Sequence, residues 1–118
     1  MSRIALVAAG LVAALALAAP IGATSSVTKL TGSVGPGFTI TLKKGTAKVK
    51  TLKPGKYSIT VKDKSNIHDF HLKGPGVNKT TSVGGTGTST WKVTLKKGKY
   101  TIVCDPHATI MKSTFTVT

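Results

Sequence analysis

The sequence predicts an all-β protein, a two-sheet Greek-key sandwich of about eight strands. Three observations carry this. Short segments rich in Thr, Val and Ile alternate with Gly, Pro and Lys, and no apolar period of 3.6 residues appears after the N-terminal segment. Apolar side chains fall on every second residue, as in Tyr57, Ile59 and Val61 or Trp91, Val93 and Leu95, with Thr and Lys between them. The phrase TLKPGKYSI at 51–59 returns as TLKKGKYTI at 94–102, and TLKKG stands again at 41–45. Each copy reads as a strand, a tight glycine turn and a second strand of a hairpin.

The chain opens with one basic residue, Arg3, an apolar run from Ile4 to Ala19, then Pro20 and the small-residue exit Ile21, Gly22, Ala23. That order predicts a secretory signal peptide over 1–23, and the run is shorter than the ~20 apolar residues that span a bilayer. The remainder, 24–118, is long enough for one small domain and too short for two. An exported location, periplasmic or extracellular, follows from the signal.

Strands are expected over Ser26–Thr31, Phe38–Lys43, Lys48–Leu52, Lys56–Lys62, Ile67–Lys73, Ser89–Leu95, Lys99–Cys104 and Ser113–Val117. The segment from Gly74 to Thr90 is expected to be a flexible connection leading into a strand. Its glycines are followed by no Gly-Lys-Ser/Thr, so it is not a phosphate cradle. Asn78, Lys79 and Thr80 form a glycosylation sequon.

The formal net charge is +14, with no glutamate and only Asp63, Asp69 and Asp105 as acids. Such a surface attracts anionic partners: acidic proteins, anionic membranes or cell-wall polymers. Nucleic acid is not expected, because the chain after the signal has no arginine and no aromatic cluster. A single cysteine makes no internal disulfide.

That cysteine stands in CDPHATIM, 104–111, with His107 and Met111. The spacing Cys-x2-His-x3-Met lies where one strand ends and the next begins, so a loop can turn all three side chains toward one point. Thiolate, imidazole and a distant thioether are the ligand set of a type 1 copper centre, which needs one more histidine. NIHDFHL, 66–72, offers His68 or His71. Zinc would more usually take further cysteines or three histidines. A Cys–His catalytic pair has no need of the methionine, and no enzyme is expected. Taken singly, a buried Cys and a core Met are ordinary packing residues.

Together, HDFHLKGPGV and YTIVCDPHATIMKSTFTV resemble the plastocyanin/azurin family of cupredoxins, over about Phe38 to Thr118. The resemblance implies a cupredoxin-like eight-stranded Greek-key sandwich binding one copper through His68, Cys104 and His107, with Met111 as a weak axial ligand. It also implies a soluble one-electron carrier, expected to be a monomer and, with this charge, to meet redox proteins with acidic docking surfaces. A copper carrier, buffer or sensor without electron transfer is the alternative, and a cationic structural sandwich a third. Asp69 replaces the family's usual Asn after the first histidine, and with Asp105 is expected to favour Cu(II). On an extended strand His68, Phe70 and Leu72 share one face, which sends His71 away from the metal. The small and apolar residues Pro106, Ala108 and Ile110 are expected to surround the exposed edge of His107.

Overall fold

The computed structural model describes residues 26–118; the expected signal peptide lies outside the described residues. Among the described residues, ten strands form two five-stranded sheets. In chain order they are β1 (Thr28–Val34), β2 (Ile40–Lys44), β3 (Ala47–Lys48), β4 (Thr51–Leu52), β5 (Gly55–Asp63), β6 (His71–Gly74), β7 (Val77–Thr80), β8 (Gly87–Leu95), β9 (Gly98–Val103) and β10 (Lys112–Val117). One sheet runs β3-β2-β1-β5-β8 and the other β4-β10-β9-β6-β7. The pairs β1·β5 and β4·β10 are parallel and the others antiparallel.

The alternation seen in the sequence is the alternation of burial. Along β5, Tyr57, Ile59 and Val61 are buried while Lys56 and Lys62 are exposed. Their inward faces meet Leu30, Leu72, Leu95, Phe115 and Val117 from other strands. Each such side chain taken fully out of water contributes about 1.5–3 kcal/mol, which makes the sandwich interior the main source of stability. Gly74 permits the closest approach. A Cβ there would strike the ring of Tyr100, so the edge of β6 lies flat on that aromatic.

The repeated phrases turn out not to be equivalent. TLKKG at 41–45 does form a hairpin, with Lys43 opposite Lys48 across Gly45. The copies at 51–59 and 94–102 instead carry the chain from one sheet to the other: β4 to β5, and β8 to β9. Both crossings contain Gly-Lys-Tyr, and in both the tyrosine hydroxyl donates back to a backbone carbonyl four residues earlier. Tyr57 reaches Lys53 at 2.6 Å and Tyr100 reaches Lys96 at 2.9 Å. These are tyrosine corners, in which a buried ring anchors the bend and its hydroxyl satisfies a carbonyl that neither sheet can use.

Two strand expectations and one loop expectation are corrected as well. Lys48–Leu52 is not one strand, because the chain leaves one sheet after Lys48 and enters the other at Thr51. Gly74–Thr90 is not one loop: Pro75 and Gly76 (φ 71°) make a two-residue turn between β6 and β7, the glycine supplying the positive φ a turn of this kind needs. Ile67–Lys73 is extended only from His71, so His68, Asp69 and Phe70 belong to the preceding loop and all three are buried.

Candidate metal centre

Three loops meet at one end of the sandwich. The loop after β5 is built by short side-chain bonds: Asp63 Oδ1 accepts the N–H of Ser65 (3.1 Å), and Ser65 Oγ accepts that of Ile67 (3.3 Å). Thr81 pins its far side, donating its hydroxyl to Asp63 Oδ2 and accepting the N–H of Phe70, both at 2.9 Å. This leaves His68 fully buried.

The loop after β9 closes on itself. Cys104 donates its N–H to Met111 (3.0 Å), and the carbonyl of His107 accepts from Ile110 (3.1 Å) and Met111 (2.9 Å). Between them Asp105–His107 is a single 3-10 turn, with Pro106 near its start and the N–H of His107 bonded to the carbonyl of Cys104 (3.0 Å). Residues three apart eclipse in such a turn, so the Cys-x2-His spacing places thiol and imidazole on one side. Met111 is buried in the same loop.

The outcome is a convergence of three ligand atoms. His68 Nδ1 lies 3.1 Å from His107 Nδ1, and Cys104 Sγ lies 3.6 Å from the first and 3.5 Å from the second. A triangle with those sides has a point about 2.0 Å from every corner, close to a bond length from a d-block ion to imidazole nitrogen and slightly short for thiolate sulfur. With their protons on the far ring nitrogens and the thiol ionised, the two imidazoles and the sulfur each turn a lone pair to the centre of the triangle, the donor set a soft-to-borderline cation takes. The donor set therefore fits one copper ion. His68 Nε2 is buried without a hydrogen-bond partner. Burial pushes the Cys104 thiol pKa up, an effect partly offset by the backbone N–H groups of Asp69 and His107.

Phe38 completes the site, although the sequence predicts a strand there. It comes from the loop between β1 and β2, and its ring stands edge-on to both imidazoles, with centroids 5.2 Å from His68 and 5.0 Å from His107. Together with exposed Ile67 and Ile110, the half-exposed Phe38 forms an apolar rim at this end. Pro106 and Ala108 are exposed in the same loop as His107.

His71 lies elsewhere. Its Nδ1 is 2.8 Å from Asp105 Oδ2 and its Nε2 is 2.5 Å from Asn78 Oδ1, so both ring nitrogens are engaged outside the triangle. Asp69 Oδ1 accepts the N–H of Asp105 at 2.6 Å, and Oδ2 accepts the hydroxyl of Thr80 at 3.1 Å. Burial raises the carboxyl pKa of Asp69, while the hydrogen bond with Asp69, aided by His71, lowers that of Asp105.

A two-sheet Greek-key sandwich with a His–Cys–His triangle at one end, two of its corners buried, defines a cupredoxin with a type 1 copper centre. The chain belongs to the copper-binding proteins of the plastocyanin/azurin family, whose family model matches residues 33–118. No curated protein matches it. Among solved structures it is similar in fold to reduced rusticyanin (TM-score 0.56, 19% identity, 80% of this chain and 81% of that one). It is similar also to rusticyanin from Thiobacillus ferrooxidans (TM-score 0.55, 20% identity, 80% and 79%). A rusticyanin mutant gives a TM-score of 0.59 at 19% identity, with 80% of each chain covered.

Proposed function

We propose that this protein is an exported one-electron carrier whose copper is held by His68, Cys104 and His107, with Met111 as the weak axial ligand. The observation that carries this is the triangle of Nδ1, Nδ1 and Sγ within 3.1–3.6 Å of one another at the end of a rigid sandwich. Bound copper supplies the one-electron couple. The chain supplies a site closed by backbone hydrogen bonds, which limits movement between oxidation states, and an apolar rim that excludes water.

Electrons pass through the partly exposed His107, within a rim of Phe38 and Ile110 that an apolar patch on a redox partner covers. The net charge draws an acidic partner in, and exposed Lys64 and Lys112 are the lysines closest in sequence to the two ligand loops. The protein works as a monomer, outside the cytoplasm, after removal of 1–23, with 24–118 as the functional domain.

The test is the visible and EPR spectrum of the protein with one equivalent of Cu(II). An intense thiolate charge-transfer band that Cys104→Ser removes is expected. A pale adduct with an ordinary tetragonal EPR signal overturns the reading even if copper binds. Rapid copper exchange with apo acceptors, without electron transfer to any redox protein, would assign the same site to copper carriage instead.

A further inference from the structure

The charge on this molecule is unevenly placed along its length. All three acidic side chains lie at the metal end: Asp63 closes β5, Asp69 follows His68, and Asp105 follows Cys104. The opposite end is made by the starts of β1, β5 and β9, the ends of β2, β8 and β10, and the links between them. Lys44, Lys53, Lys96 and Lys97 are exposed there, and no acidic side chain is. A recess of about 310 Å³ opens on the same half, its wall formed by Val27, Tyr57 and Val93 and its margin by Lys29, Lys56 and Lys92. Val27 is 47% exposed.

The direction of the chain adds a second observation. β1 starts at this end, so the described chain begins beside these lysines, with exposed Val27 among its first residues. The metal end stands a strand's length away, roughly 23 Å for seven residues. That is well beyond the screening length of about 8 Å at physiological salt.

We propose that the lysine-rich end is a docking surface for an anionic phospholipid bilayer, which holds the metal end outward. Lysines attract the phosphate layer within a screening length, their aliphatic stems lie along the interface, and exposed Val27 meets its apolar side. The carboxylates at the far end are too distant to be repelled. The inference stands whichever metal the triangle holds.

The experiment compares binding of the exported protein, 24–118, to phosphatidylglycerol and to phosphatidylcholine vesicles by sedimentation at 0.1 M salt. Apolar contact through Val27 contributes to both, so the ratio of the two partition coefficients reads the lysines. Each lysine near such a surface contributes roughly fivefold. Changing Lys44, Lys53, Lys96 and Lys97 together to Gln is expected to lower the ratio at least tenfold. Changing Lys62, Lys64, Lys79 and Lys112, exposed toward the metal end, removes the same charge and is expected to lower it less than threefold. Thermal melts confirm that both variants fold. Equal losses, or no preference for phosphatidylglycerol, overturn the proposal. So does tighter binding to soluble poly(glycerol phosphate) than to vesicles at equal phosphate, which would make a cell-wall polymer the occupant.

Discussion

Asp69 and Asp105, 36 residues apart in sequence, are joined by the shortest backbone-to-side-chain hydrogen bond at the metal end, from the Asp105 N–H to Asp69 Oδ1 at 2.6 Å. One loop carries His68 and the other carries Cys104 and His107, so this single bond fixes the spacing between ligands from different parts of the chain. Asp69→Asn keeps an acceptor and removes a negative charge. The colour should persist and the reduction potential rise, as measured by redox titration. Asp69→Ala leaves the partly buried Asp105 N–H without its acceptor and should cost about 1 kcal/mol in thermal unfolding.

His68 and His71 should separate cleanly. His68→Ala removes one corner of the triangle, and neither Phe70 nor Leu72 has an atom to replace it; the coloured site should be lost or severely distorted. His71→Ala removes a ring held by Asp105 and Asn78 and should leave the absorption band in place with a modest shift in potential. The reverse outcome, read from the visible spectra of the two variants, would reassign the ligand.

Metal uptake should depend on pH through Cys104. Burial raises the thiol pKa in the metal-free protein, so at neutral pH the sulfur carries a proton that the metal must displace. Below that pKa, apparent Cu(II) affinity should rise about tenfold per pH unit from the thiol alone. Competitive titration with a chelator between pH 6 and 8 measures the slope, and Cys104→Ser should lower it by one proton.

Alkaline stability should depend on Tyr57. Burial raises its pKa above the ordinary value. Above the unfolded value near 10 the folded state therefore holds a proton that the unfolded state has lost, and stability falls as pH rises toward the folded pKa. Tyr57→Phe should lose about 1 kcal/mol at pH 7 with its hydrogen bond and show a shallower decline above pH 10. Denaturant midpoints for both proteins across pH 7–11 provide the comparison.

Gly74→Ala tests the packing of β6 on Tyr100. The new methyl has no room beside the ring. Overpacking of this kind typically costs about 1–3 kcal/mol, and each kcal/mol lowers Tm by roughly 4–8 °C in a domain of this size.

The fold class was legible because inward residues recur every second position, and the cysteine loop because its spacing is local. What misled was the repeat. Three near-identical glycine phrases share a turn, but only the two followed by Lys-Tyr change sheets, because only a tyrosine two residues on can anchor the bend and return its hydroxyl to the carbonyl. That signal was present in the letters. β7 was hidden for another reason: among Val77–Thr80 only Val77 is buried, so no alternation marks the strand. Strand alternation predicts His68 inward with Phe70 and Leu72 and Asp69 outward, whereas the structure has a loop at 68–70 that buries Asp69 as well. Phe38 and Thr81 were not legible at all, since each acts on residues far along the chain and neither type implies a metal.

The last strand of the described chain, β10, is an inner strand, seated between β4 and β9. A polypeptide emerging N-terminus first therefore completes its second sheet only when the six residues of β10 arrive. Loss of that strand would bare the edges of both neighbours and release the anchor of the ligand loop, so truncation should yield an aggregation-prone, metal-free product rather than a weakened carrier.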